Sequence, residues 1–217
     1  MTAPERDKTE LPWPHWMLRY VGSDDQDAME DLIWSVGGSP PYGGVSYDEA
    51  GAVYELIEDY RGPGAASRES FERVQPFVAA DPVRQSALEI FRYADEIQSA
   101  PESYGQRPVA RGLALARAQQ HRGAEASFLA LEAGLHHRAN DLPAARDCTL
   151  QALDIFLMMA DEDPAYAKRV MQTAQNAVSF TAMAGDVDAA RTLLHKLASV
   201  MDPAASEQLR RSLDAVQ

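Results

Sequence analysis

Asp-Pro occurs at Asp81-Pro82, Asp163-Pro164 and Asp202-Pro203, each time just ahead of a run with helical spacing of apolar residues. The pair has a plain physical meaning. The aspartate accepts unpaired N–H groups of a first helical turn, and proline takes the first helical position, where no N–H is needed. Asp141-Leu142-Pro143 is a close variant. Helical spacing recurs at Phe71, Val74 and Val78, at Leu88, Phe91, Ala94 and Ile97, at Val109, Leu113 and Ala116, and at Leu209 and Leu213. No segment alternates apolar and polar residues over strand length. The chain is therefore expected to be all-α, with nine or ten helices and loops short enough to make sequence neighbours antiparallel.

The last five helices are expected at 124–138, 143–160, 164–184, 187–200 and 203–215. Residues 1–22 read as an irregular N-terminal arm, because Pro12 and Pro14 break the apolar stretch that holds Trp13 and Trp16. Residues 23–217 read as a single all-α domain, with acidic helices over 23–62 and helical hairpins over 81–217. Ser23 with Gln26, and Ser46 with Glu49, have capping-box spacing. In the second of these helices Val53, Tyr54, Leu56, Ile57 and Tyr60 are expected to face inward. Pro76 is expected to kink or end the helix capped by Ser67, and Gly62-Pro63-Gly64 and Pro101 to end helices. The run Gly37–Gly44 reads as a surface loop, since it lacks the Gly-Lys-Ser/Thr ending of a phosphate cradle. Gly123 is expected to interrupt or turn its helix.

Charge narrows the partners. The formal net charge is -13, which argues against nucleic acid and against anionic membrane surfaces. No apolar run is long enough to span a membrane. No apolar stretch follows the charged N-terminus, so the expected location is the cytoplasm. Between Tyr20 and Tyr60 the chain has ten acidic residues and no Lys, Arg or His. That segment is either a solvated acidic surface or a docking face for a basic partner. Arg107, Arg111, Arg117 and Arg122 make a basic patch further on, suited to pairing with that segment or to holding an acidic peptide or carboxylate.

Two stretches repeat one another. Asn140-Asp141 forms a turn, with Ala145, then Ala152-Leu153 after it. Gly185-Asp186 forms another, with Ala190, then Leu197-Ala198, at an offset of 45 residues. Over roughly 125–203 this resembles the tetratricopeptide (TPR) helix pair, with Ala133 where that family prefers glycine. The period exceeds the family's 34 residues. The resemblance implies a short α-solenoid whose concave groove binds a peptide or protein.

The candidate groove residues are Arg107, Arg111, Gln172, Gln175, Asn176 and Ser179, the last four on a polar strip that also includes Tyr166 and Thr181. Trp34 and Tyr42 are the candidate lid, and Trp13 and Trp16 the candidate arm. An alternative reading is a small-molecule or catalytic pocket between the acidic N-terminal helices and the Arg107–Arg122 helix. Met158, Met159 and Met171 form the candidate homodimer face. No catalytic residue, metal site or cofactor is assigned. His136 and His137 point about 100° apart on a helix and suit a helix C-terminus. Cys148, the single cysteine, reads as a buried, inert thiol.

Overall fold

The structure is a computed structural model describing residues 11–62, 66–100 and 104–215. The expectations for residues 1–10, for Pro63 and Gly64 and for Pro101 lie outside these. The described residues form eleven α-helices and no strand: α1 (Trp13–Ser23), α2 (Gln26–Gly37), α3 (Tyr47–Tyr60), α4 (Arg68–Val78), α5 (Pro82–Gln98), α6 (Gln106–Ala118), α7 (Arg122–Arg138), α8 (Leu142–Glu162), α9 (Ala167–Met183), α10 (Val187–Leu197) and α11 (Pro203–Asp214). Single 3₁₀ turns stand at Tyr42–Gly44 and Pro164–Tyr166.

Contacts divide the chain into two compact units, Met1–His121 and Arg122–Gln217. The sequence reading draws its boundary at residue 22. The contacts draw theirs after His121, and α1 belongs to the first unit.

In the first unit α1 packs on α2 and α5, and α2–α3, α3–α4, α4–α5 and α5–α6 pack as chain neighbours. The expected irregular arm is a helix over its described part. Pro12 is the N-cap and Pro14 falls within the first two helical positions, where a missing N–H costs nothing. The two prolines start the helix and do not break it. Trp13 is fully buried and Trp16 nearly so. Trp13 Nε1 donates to Glu49 at 2.9 Å and Trp16 Nε1 to the Leu11 carbonyl at 3.1 Å. α1 is the helix beyond the expected nine or ten.

Caps behave largely as their residue types dictate. Ser46, Ser67, Asp81, Asp141, Asp186 and Asp202 each accept a first-turn N–H. Ser23 differs. It is the last residue of α1, and its hydroxyl donates back to the Arg19 carbonyl at 2.8 Å. α4 runs past Pro76 to Val78 without ending there. Tyr54, expected inside, is exposed.

The acidic segment is partly internal. Glu49 is buried and takes Arg84 Nη1 on both carboxylate oxygens at 2.8 Å. Asp31, also buried, lies 3.4 Å from Arg19. Two of the acids that read as surface therefore tie α1, α2, α3 and α5 together.

In the second unit each helix from α7 to α11 packs on the next, and α11 also returns to α9. The core holds Phe128, Leu129, Leu153, Phe156, Ala174 and Val178. Gly123 does not turn a helix. It sits inside α7, where a Cβ would come within 2.9 Å of the Tyr166 ring. The glycine gives Tyr166 room to bury.

Candidate functional site

The first unit carries a cleft of about 630 Å³ bordered by α4, α5 and α6. Each helix supplies part of it through its 3.6-residue period. α6 presents Arg107, Pro108 and Arg111, α5 presents Arg92, Tyr93, Asp95 and Glu96, and α4 presents Arg68, Phe71, Glu72 and Gln75. Phe71, Tyr93, Pro108 and Asp95 are buried and make the floor, while the arginines are exposed and make the rim.

Four arginines face three carboxylates here, so the cleft is locally basic on a chain of net charge -13. The arginines are not equivalent. Arg68 is held by Glu72 at 2.7 Å. Arg92 lies 5.3 Å from the centre of the Tyr93 ring, within cation–π range. Arg107 and Arg111 have no carboxylate partner among the described residues. The acidic segment is met by other cations instead: Glu49 by Arg84, Asp31 by Arg19 and Glu55 by Arg73. Among the described residues neither Arg107 nor Arg111 pairs with that segment, the first of the two roles that the sequence leaves open for the patch.

Asp95 is the buried charge of the site. Its Oδ1 accepts the Ala66 N–H at 3.2 Å. Burial pushes the carboxyl above its ordinary range, against the lowering effect of that bond, and the charges of Asp59 and Glu96 push it the same way. Asp95 also borders a second, polar cleft of about 450 Å³ with Tyr20, Tyr60 and Gln98. There the Tyr20 and Tyr60 hydroxyls lie 3.0 Å apart and Tyr60 donates to Gln98. Burial, then the bond to Tyr20, drives the Tyr60 phenol upward.

The polar strip stands in the second unit. Gln172 and Asn176 are exposed and Gln175 half-buried on α9. The Ser179 hydroxyl turns back to the Gln175 carbonyl at 3.0 Å. Thr181 borders a cleft of about 520 Å³ with Arg146, Leu150, Leu193 and Lys196, but its own hydroxyl is spent on the Ala177 carbonyl at 2.7 Å. Tyr166 is core.

The expected lid does not form one loop. Trp34 is an exposed residue of helix α2. Tyr42 is half-buried and opens the 3₁₀ turn. Next to it Gly43, at φ +69, passes so close to Pro12 that a Cβ would lie 2.6 Å from the Pro12 Cβ. Trp13 and Trp16 are core residues, not a binding arm.

His136 and His137 lie in the last turn of α7. His136 Nδ1 is 3.6 Å from Asp141, and the His137 ring is 5.0 Å from that of Phe180. Cys148 is half-buried, not fully buried, with its sulfur 3.8 Å from the Glu132 carboxylate. Met158 is exposed, while Met159 and Met171 are half-buried. Among the described residues no three metal-ligating side chains gather, and no helix is long and apolar enough to cross a membrane.

The sequence reading reached Arg107 and Arg111 but missed Arg68, Arg92, Phe71, Tyr93 and Asp95. Only tertiary packing brings α4 and α5 beside α6. Comparison of the chain with models of known protein families, with curated proteins and with solved structures returns no match.

Proposed function

We propose that this chain is a protein- or peptide-binding helical protein that holds an acidic segment of a partner in the cleft of α4, α5 and α6. The observation that carries the reading is the pair Arg107 and Arg111. Two exposed guanidinium groups without carboxylate partners among the described residues stand over an apolar floor of Phe71 and Tyr93. A free guanidinium recognises a carboxylate through paired N–H donors. The apolar floor gives a peptide's hydrophobic side chains a place to bury. An adaptor, chaperone or regulatory partner would use a surface of this kind. The TPR-like reading of the second unit is consistent with this role. It is supported by the packing of each helix on the next and by the turns at Asn140-Asp141 and Gly185-Asp186.

The test is fluorescence anisotropy with a labelled peptide in which Glu alternates with Leu. Binding is expected to weaken as salt rises. The double variant Arg107→Ala/Arg111→Ala is expected to weaken it by about tenfold or more, since hydrogen bonds to charged groups contribute roughly 1.5–3 kcal/mol each. Unchanged affinity in that variant would overturn the assignment. The cleft volume also lies in the small-molecule range. Displacement of the peptide by glutarate at micromolar concentration would therefore move the reading to a small dicarboxylate.

A further inference from the structure

Gly51 stands in the middle of α3. Glycine weakens a helix interior because its backbone has more freedom to lose on folding. It is therefore expected where a neighbour needs the room. Gly43 and Gly123 have such neighbours, Pro12 and Tyr166. Gly51 has none: no atom lies within 4 Å of where its Cβ would be.

Four residues before it and three after it stand Tyr47 and Tyr54, 66% and 41% exposed. That spacing puts all three on one helix face. Neither tyrosine has a ring or hydrogen-bond partner among the described residues. α3 thus presents two open aromatic rings on either side of bare backbone.

The charged side chains of α3 itself are all carboxylates. Asp48, Glu55 and Glu58 are exposed on the same side of the helix. Glu55 is engaged by Arg73 and Glu58 by Arg61, while Asp48 has no cation partner among the described residues. Before α3, the segment from Val21 to Ser46 adds five carboxylates and no cation, of which Asp31 is buried against Arg19. Exposed aromatic faces attract arginine and lysine through the negative face of the ring. Tyrosine is also enriched among residues that dominate binding energy.

We propose that this face of α3 docks a basic segment of a partner protein. Its backbone crosses at Gly51, its arginine or lysine side chains lie over Tyr47 and Tyr54, and one of them reaches Asp48. The surface is distinct in residues and in sign from the arginine-rimmed cleft, so the two proposals stand or fall separately.

The probe is a short labelled peptide in which Arg alternates with Leu, titrated against the full chain by fluorescence anisotropy. The peptide with Glu for Arg serves as control. Tyr47→Ala/Tyr54→Ala and Gly51→Ala are each expected to weaken binding of the basic peptide by about tenfold or more. Gly51→Ala is expected at the same time to raise the thermal midpoint, because alanine favours the helix. Loss of binding in that variant then reflects the filled notch and not a damaged fold. Arg107→Ala/Arg111→Ala is expected to leave basic-peptide binding unchanged. Wild-type affinity in both α3 variants would overturn the proposal and leave only diffuse charge attraction. So would light scattering that shows a dimer which Tyr47→Ala/Tyr54→Ala converts to monomer, since a second copy would then be the occupant.

Discussion

Asp95 shows how one buried carboxylate links pH to stability. Its folded-state pKa is raised above the ordinary 3.8, chiefly by burial. Between that ordinary value and the raised one, the native state binds more protons than the unfolded chain. Stability therefore falls as pH rises through this window, and the loss is complete above the folded value. Asp95→Asn keeps an oxygen for the Ala66 N–H and removes the charge. It is expected to raise the thermal midpoint at neutral pH and to flatten this part of the pH profile. Asp95→Ala leaves the Ala66 N–H unpaired and is expected to lower stability by about 1–3 kcal/mol. Thermal melts across the acid to neutral range would check both. An Asn variant less stable than wild type at neutral pH would contradict the account. None of this is visible at the sequence level, where Asp95 is one helical acid beside Glu96.

Helix ends were the most legible elements. Asp before Pro, or Ser three residues before Glu, satisfies first-turn N–H groups by local geometry alone, and the caps at Ser46, Asp81 and Asp202 follow. Prolines were legible only in part, since Pro14 reads as a breaker until α1 is seen to start just before it. The turns hold a regularity that residue types hide. Asn140 and Gly185 both take positive φ, and the residue after each donates five residues back, Asp141 to His136 at 2.9 Å and Asp186 to Thr181 at 3.2 Å. The end of α6 repeats this at Gln120, φ +58, with His121 donating to Ala116 at 2.8 Å. Bonds of this kind satisfy helix-end carbonyls, and glycine is the usual residue at the left-handed position. Gln120 bears a strain that glycine would not. Gln120→Gly is expected to stabilise the chain by up to about 1 kcal/mol, readable in a urea titration. A lower midpoint would show that the glutamine side chain makes a contact worth more than the strain.

At the scale of the molecule, charge and packing divide differently along the chain. The stretch of acids without any Lys, Arg or His ends at Tyr60, whereas contacts separate Met1–His121 from Arg122–Gln217. Each unit owns a core, with Trp13, Leu56, Ile57 and Phe91 in the first and Phe128, Phe156 and Val178 in the second. A fragment covering residues 122–217 is accordingly expected to fold alone. Circular dichroism would show a helical spectrum with a cooperative melt, and a fragment without one would show that its core needs the first unit.

The sequence by itself determined that the described chain is helical, where most helices begin, and part of the inward face of α4, α5 and α6, such as Phe71, Phe91 and Leu113. These rest on interactions within a few residues, which composition and spacing encode directly. Only the tertiary structure decided that Glu49 is an internal partner of Arg84, that Gly123 makes room for Tyr166, and that Arg107 and Arg111 share a cleft with Phe71 and Tyr93. Each of those joins residues far apart in the chain, and a pattern of local spacing holds no record of which distant helix will pack beside which.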